Sequence, residues 1–226
     1  MSRTVLVSGG SGGIGAALCR RLAKSGYRPV VGYSRSRSLA EAVAGECDGA
    51  ALALDLRDAA AIDAAVGKLA DMTSELAGAV LAASPPPKPG PFSRIEADDL
   101  ADQWHVNVSG PQRLLGALIP RYFKRDRGGF IIGVLSRAMA EGGRTAMPGM
   151  GAYTIAKHGM AGLLAVLAAD CPWLRVGSVS PGFTETAMLE SFEPRFLELM
   201  RRRESFQKPD DVAAEIMALM ATETPR

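Results

Sequence analysis

Short β-branched runs alternate with longer alanine- and leucine-rich stretches of helical period along all 226 residues. That alternation restricts the fold more than any other feature of the chain. The short runs are TVLVSG, RPVVGYS, GAALALDL, LAGAVLAAS, GFIIGVLS and LRVGSVSPG. Between them lie GIGAALCRRLAKSG, SLAEAVAGEC, DAAAIDAAVGKLADMTSE, a long helical region from about Asp98 to Arg121, and a helix carrying Tyr153. PDDVAAEIMALMA reads as the closing helix, and the prolines of SPPPKPGPF make that stretch a loop. Strands that are apolar on both faces belong to a parallel sheet covered by helices on either side. Right-handed crossovers then wind the sheet twice. The expectation is an α/β, Rossmann-like, doubly wound parallel sheet of about six strands, in a single domain over residues 1–226.

Composition narrows the function. The chain is 47% hydrophobic and 22% charged with a net charge of +2, an ordinary globular balance. Its densest basic run is Arg201, Arg202 and Arg203, which falls short of a nucleic-acid stripe. No apolar stretch is expected to reach the roughly 20 residues that span a bilayer. The first residues lead straight into a strand, so no secretory signal is expected. Cys19, Cys47 and Cys171 are odd in number and lack metal-ligand spacing. They read as reduced structural thiols of a cytoplasmic protein, with no metal site.

In sheets of this kind ligands bind beyond the carboxyl ends of the strands. The loop SGGSGGIG lies there, between the first strand and the first helix. Gly9, Gly13 and Gly15 allow a tight turn and let backbone approach a pyrophosphate at the helix N-terminus, with Ser11 and Ile14 in the same loop. The second strand ends without an acid but with Ser34, Arg35 and Arg37. A guanidinium there accommodates a 2′-phosphate, which favours NADPH over NADH. Asp55 and Leu56, in LDL after the third strand, fall beside the expected adenine. The competing readings are a plain glycine turn, solvated arginines and an N-capping or turn-forming Asp55.

The ordered set of SGGSGGIG, LDL, VNVSG, GVLS, YTIAK and PGFTET resembles the short-chain dehydrogenase/reductase family over nearly the whole chain. Within that family it is most similar to 3-oxoacyl-carrier-protein reductases, through PGFTETAM and KRDRGGFI. The resemblance implies a catalytic set of Asn107, Ser136, Tyr153 and Lys157. Tyr153 would give a proton to a carbonyl oxygen, Ser136 would hold that oxygen, and Asn107 would anchor a relay water. Lys157 would lower the phenol pKa and hold the nicotinamide ribose. Pro181, Gly182, Thr184 and Thr186 would close around the nicotinamide, and Ala83 would lie under the adenosine ribose. A tyrosine pKa near 10 needs such help to work at neutral pH. The cofactor implied is NADPH/NADP+, and the substrate a small carbonyl compound, free or carried on acyl carrier protein or CoA.

Three departures from the family pattern matter. LAAS, with Ala82, Ala83 and Ser84, stands where the family has Asn-Asn-Ala-Gly, so amides that brace the sheet are missing. The interval from Ser136 to Tyr153 is longer than usual and holds Met139, Met147 and Met150, which suit an adaptable apolar pocket. The usual seventh strand is not expected, which leaves a dimer through the helices of Asn107 and Tyr153 as the favoured assembly. Lys124, Arg125 and Arg127 form a basic cluster suited to an acidic carrier protein, and the segment around Arg201 reads as a lid. Other functions of the same fold are an NAD-linked alcohol dehydrogenase and a nucleotide-binding regulatory or structural protein.

Overall fold

The computed structural model describes residues 3–124 and 127–221. In chain order the elements are β1 (Arg3–Ser8), α1 (Gly13–Lys24), β2 (Tyr27–Tyr33), α2 (Arg37–Glu46), β3 (Ala50–Ala53), α3 (Ala59–Met72) and β4 (Leu76–Leu81). After the proline loop come α4 (Ala97–Trp104), α5 (Gly110–Leu118), β5 (Phe130–Val134), α6 (Gly151–Asp170), β6 (Arg175–Val179), α7 (Pro194–Arg203) and α8 (Pro209–Ala221). Among the described residues one sheet forms, in the order β3-β2-β1-β4-β5-β6, and every pairing is parallel.

Alternation of side chains along each strand builds two separate cores. Val5 and Val7 of β1 join Leu18 and Leu22 of α1 and Val212 and Ile216 of α8 on one face. Leu6, between them, turns to the other face and joins Ile62 of α3, Leu114 of α5 and Leu164 of α6. Burying a side chain of this size is worth about 1.5–3 kcal/mol, so strands apolar on both faces are stable only with helices on both sides. The order reverses between β1 and β4, and the loops that leave these two strands open a crevice at that point.

Two helices differ from the sequence expectation. The region from Asp98 to Arg121 is one helical path interrupted by two wider π turns, His105–Ser109 and Ile119–Phe123. A proline accompanies each: Pro111 and Pro120 carry no N–H and leave the Asn107 and Gly116 carbonyls without their i+4 donors. The wider turns close through Gly110 N–H on the His105 carbonyl and Lys124 N–H on the Ile119 carbonyl, the latter at 2.9 Å. The second difference concerns α6, which by length and composition is apolar enough to cross a membrane, against the expectation that no stretch is. It is a core helix: it packs on β5, β6 and α4, and its inner face buries Tyr153, Lys157, Met160 and Leu164.

Candidate functional site

A cleft of about 490 Å³ runs along the carboxyl ends of the strands. Its floor at the phosphate end is the glycine loop. Gly9 has φ of +66°, and a Cβ there would lie 2.7 Å from Ala83 Cα, so the turn lies directly on the end of β4. The atoms approached are backbone atoms of Ala82 and Ala83, so it is the missing Cβ of Gly9 that permits the contact. Gly10 N–H bonds the Gly32 carbonyl at 2.9 Å and ties the loop to β2. Side chains at Gly13 and Gly15 would collide with Thr186 and with the Gly9 backbone respectively. The loop is therefore a bare backbone cradle that opens α1, which fits a pyrophosphate at a helix N-terminus.

Ser11, Ile14, Ser34, Arg35, Asp55, Leu56 and Ala83 all line this end of the cleft. Arg35 is exposed and has no hydrogen bond or ion pair with any described residue. Arg37 does not share the site: it stands on α2 and donates to Glu41 at 2.8 Å, an i,i+4 pair on the helix surface. Asp55 is partly committed to a turn, accepting from the Arg57 backbone N–H at 3.0 Å and from its guanidinium at 3.4 Å. Arg57, which sequence reasoning passed over, also clamps Asp102 of α4 through two nitrogens.

At the other end β5 delivers Ser136 and α6 delivers Tyr153 and Lys157, one helical turn apart. Lys157 is 1% exposed, and its Nζ donates to the Val134 carbonyl at 2.8 Å. Burial disfavours the ammonium and pulls its pKa down to about 7. The Tyr153 phenol is pushed above its ordinary value by burial, and a hydrogen bond with Ser136 offsets part of that rise. The expected depression of this phenol by Lys157 is thus not what the protein produces by itself. Nζ lies 5.5 Å from the ring centroid, and burial sets the direction of the shift.

Asn107 lies behind the cleft wall rather than on it, with Val106 as the lining residue. Its Nδ2 donates to the Gln103 carbonyl at 2.9 Å and to Gln103 Oε1 at 3.2 Å, while its buried Oδ1 meets no donor. The residue four positions on is Pro111, so the Asn107 backbone carbonyl also lacks its ordinary helical donor. Gln103 is fully buried and additionally donates to the Pro86 carbonyl at 3.1 Å. It ties the proline loop after β4 to α4 and to Asn107. The sequence signal was a glutamine one turn before Asn107 on the inner helix face.

Pro181, Gly182, Thr184 and Thr186 border the same end, with Phe183 between them. Gln207, also unforeseen, pins this loop: its Oε1 accepts from Gly182 N–H at 2.9 Å, and its backbone N–H donates to the Phe183 carbonyl at 2.8 Å. Phe183 stacks on Phe206 at 5.0 Å and meets Phe192 and Phe196 edge-on, which fastens α7 to the loop that borders the cleft. The segment read as a lid forms α7, none of whose residues lines the cleft, and Arg201 is held on it by Glu185 at 3.0 Å and by the Phe206 ring. Met147 and Met150 reach the cleft, whereas Met139 packs in the core. Lys124 and Arg127 precede β5, at the end of the sheet opposite the cleft, and Arg125 lies outside the described residues. All three cysteines are free thiols, and burial pushes that of Cys19 up to about 12, which makes it a poor nucleophile.

A family model described as short chain dehydrogenase matches residues 3–195. The chain is 27% identical over 224 residues to a human 3-oxoacyl-[acyl-carrier-protein] reductase, covering 97% of this chain and 92% of that protein. It is 28% identical over 207 residues to the protein of that name from Staphylococcus aureus, covering 88% and 82%. The crystal structure of 3-ketoacyl-(acyl-carrier-protein) reductase from Brucella melitensis complexed with NADH superposes with a TM-score of 0.85 at 28% identity, covering 97% of this chain and 90% of that one.

Proposed function

Because the chain belongs to the short-chain dehydrogenase family and is an NAD(P)-dependent oxidoreductase, we propose that it reduces ketones with NADPH and that Tyr153 donates the proton. The observation that carries this reading is the convergence of Ser136, the Tyr153 phenol and the buried Lys157 at one end of the cleft, with Ser136 hydrogen-bonded to the phenol.

Gly9, Ser11, Gly13, Ile14 and Gly15 would hold the pyrophosphate, Asp55 and Leu56 the adenine, and Arg35 with Ser34 the 2′-phosphate. Ala83 would lie beneath the ribose, with Pro181, Gly182, Thr184 and Thr186 at the nicotinamide. The bound dihydronicotinamide supplies the hydride. Ser136 Oγ accepts from Ala138 N–H at 3.1 Å, which leaves its own proton to donate to the carbonyl oxygen as charge grows there. Tyr153 Oη then delivers its proton to that oxygen. Lys157, fixed on the Val134 carbonyl, stands ready to hold a ribose hydroxyl and to stabilise the phenolate left behind. The two acceptor-rich oxygens of Asn107, its Oδ1 and its carbonyl, suit a water that returns a proton to this pair.

Ala138, Met147, Met150, Met188 and Phe192 make the walls beside Ser136 and Tyr153 apolar. They favour 3-oxoacyl compounds, whether free or joined to CoA or an acyl carrier protein. The helices α4 and α6 pack together and leave Trp104, Ile155 and Val166 exposed, a surface suited to a two-fold dimer. A monomeric mass in light scattering contradicts that assembly.

Cofactor choice rests on Arg35. NADPH is expected to bind about tenfold or more tightly than NADH, and Arg35→Ser to remove most of that preference, since a charged hydrogen bond is worth about 1.5–3 kcal/mol. Direct titration of both nucleotides into wild type and variant decides it. Preference for NADH, or a preference indifferent to position 35, refutes the assignment.

A further inference from the structure

Arg137 follows Ser136 directly and faces the same cleft, yet nothing in the reduction uses it. Its backbone N–H is spent on the Pro181 carbonyl at 2.9 Å. The guanidinium lies flat on Gly182, in space that any side chain at that position would take. Among the described residues it makes no side-chain hydrogen bond. Its one charged neighbour is Glu204, just beyond α7, at 3.8 Å from Nη2, and both side chains are about two-fifths exposed. A guanidinium carries five donors in a rigid fork that matches a carboxylate. This one is left loosely paired inside a pocket whose other substrate-side walls are apolar.

We propose that Arg137 is the substrate's anion receptor and that the ketone reduced here is an oxo acid. The inference rests on the carbonyl-reductase reading of the site. A carboxylate suits that fork, at whose mouth the Glu204 carboxylate already stands. An entering substrate replaces Glu204 with a closer, two-pronged partner. Glu204 therefore acts as a weak competitor that keeps the fork aimed into the cleft when no substrate is there. A thioester or ester offers a neutral oxygen at the same point and gains less from the fork.

The test compares a straight-chain 3-oxo acid with its methyl ester in the NADPH-bound protein, for wild type, Arg137→Gln, Arg137→Lys and Glu204→Gln. Binding of the matching saturated acid and its ester, which cannot react, is measured alongside by calorimetry. Wild type is expected to favour the acid about tenfold or more in kcat/KM, and Arg137→Gln to lower the acid-to-ester ratio by roughly 10- to 100-fold. Arg137→Lys keeps the charge and is expected to retain part of the ratio, whereas Glu204→Gln raises acid binding a few-fold. Equal use and equal binding of acid and ester, or a ratio that Arg137→Gln leaves in place, overturns the proposal. If no ketone is reduced but binding of the saturated acid depends on Arg137, the reductase reading fails while the carboxylate site stands.

Discussion

Lys157 and Tyr153 show how far spacing goes at the scale of single residues. Four positions on a helix put two side chains on one face, and that much was legible in YTIAK. What was not legible is their burial, which depends on β5, β6 and the loop before α6 and which reverses the simple expectation for the phenol. The lysine gives a prediction with a definite sign. Its pKa is about 7 in the folded protein and 10.5 ordinarily, so between those values the unfolded chain binds more protons than the folded one. Stability contributed by this position must then rise with pH across that window. The stability of wild type minus that of Lys157→Met, from denaturant unfolding without cofactor, is expected to climb from about pH 7 by up to about 1.4 kcal/mol per pH unit. Measurements kept below pH 10 avoid Tyr153, whose raised pKa acts in the opposite direction above that point. A flat difference means that the ammonium is well solvated. Arg35 and Arg137 are further cases of the same lesson: an arginine in sequence is an arginine anywhere, and only its partners separate them from Arg37.

The helical path from α4 to α5 carries the argument at the scale of elements. Its existence follows from apolar periodicity, but the π turn at Asn107 depends on where the missing N–H of Pro111 falls in the ladder. Pro111→Ala supplies that donor. We expect it to regularise the turn, to leave stability unchanged or higher, and to lower kcat on the order of tenfold by occupying the Asn107 carbonyl. Steady-state kinetics beside thermal unfolding checks this, and an unchanged kcat removes the carbonyl from the relay. The helix α7 was visible beforehand as a basic lid segment without a shape. Its ring contacts run through Phe196 to Phe183 and Phe192, which lie outside the helix in sequence, so a stretch of ten residues that is half charged did not announce them. Gln103 and Gln207 escaped for a related reason, since each holds together loops that only the tertiary fold brings close.

For the whole molecule, strand count, parallel pairing and the face-by-face burial of the strands were legible, because apolar alternation records burial directly. The location of the cleft followed from topology alone, at the reversal between β1 and β4. The identity of the substrate did not, as pocket walls come from loops whose paths sequence does not fix. The central claim is that this cleft reduces a carbonyl compound with NADPH and that Tyr153 supplies the proton. It is tested most directly by rapid-mixing measurement of NADPH consumption with 3-oxo acids, their esters and simple ketones, in wild type and Tyr153→Phe. The prediction is consumption of NADPH by wild type with at least one of these classes, slowed by about 10²–10⁴-fold in Tyr153→Phe while NADPH still binds. Equal rates in the two proteins, or NADPH bound and never consumed, would contradict the account.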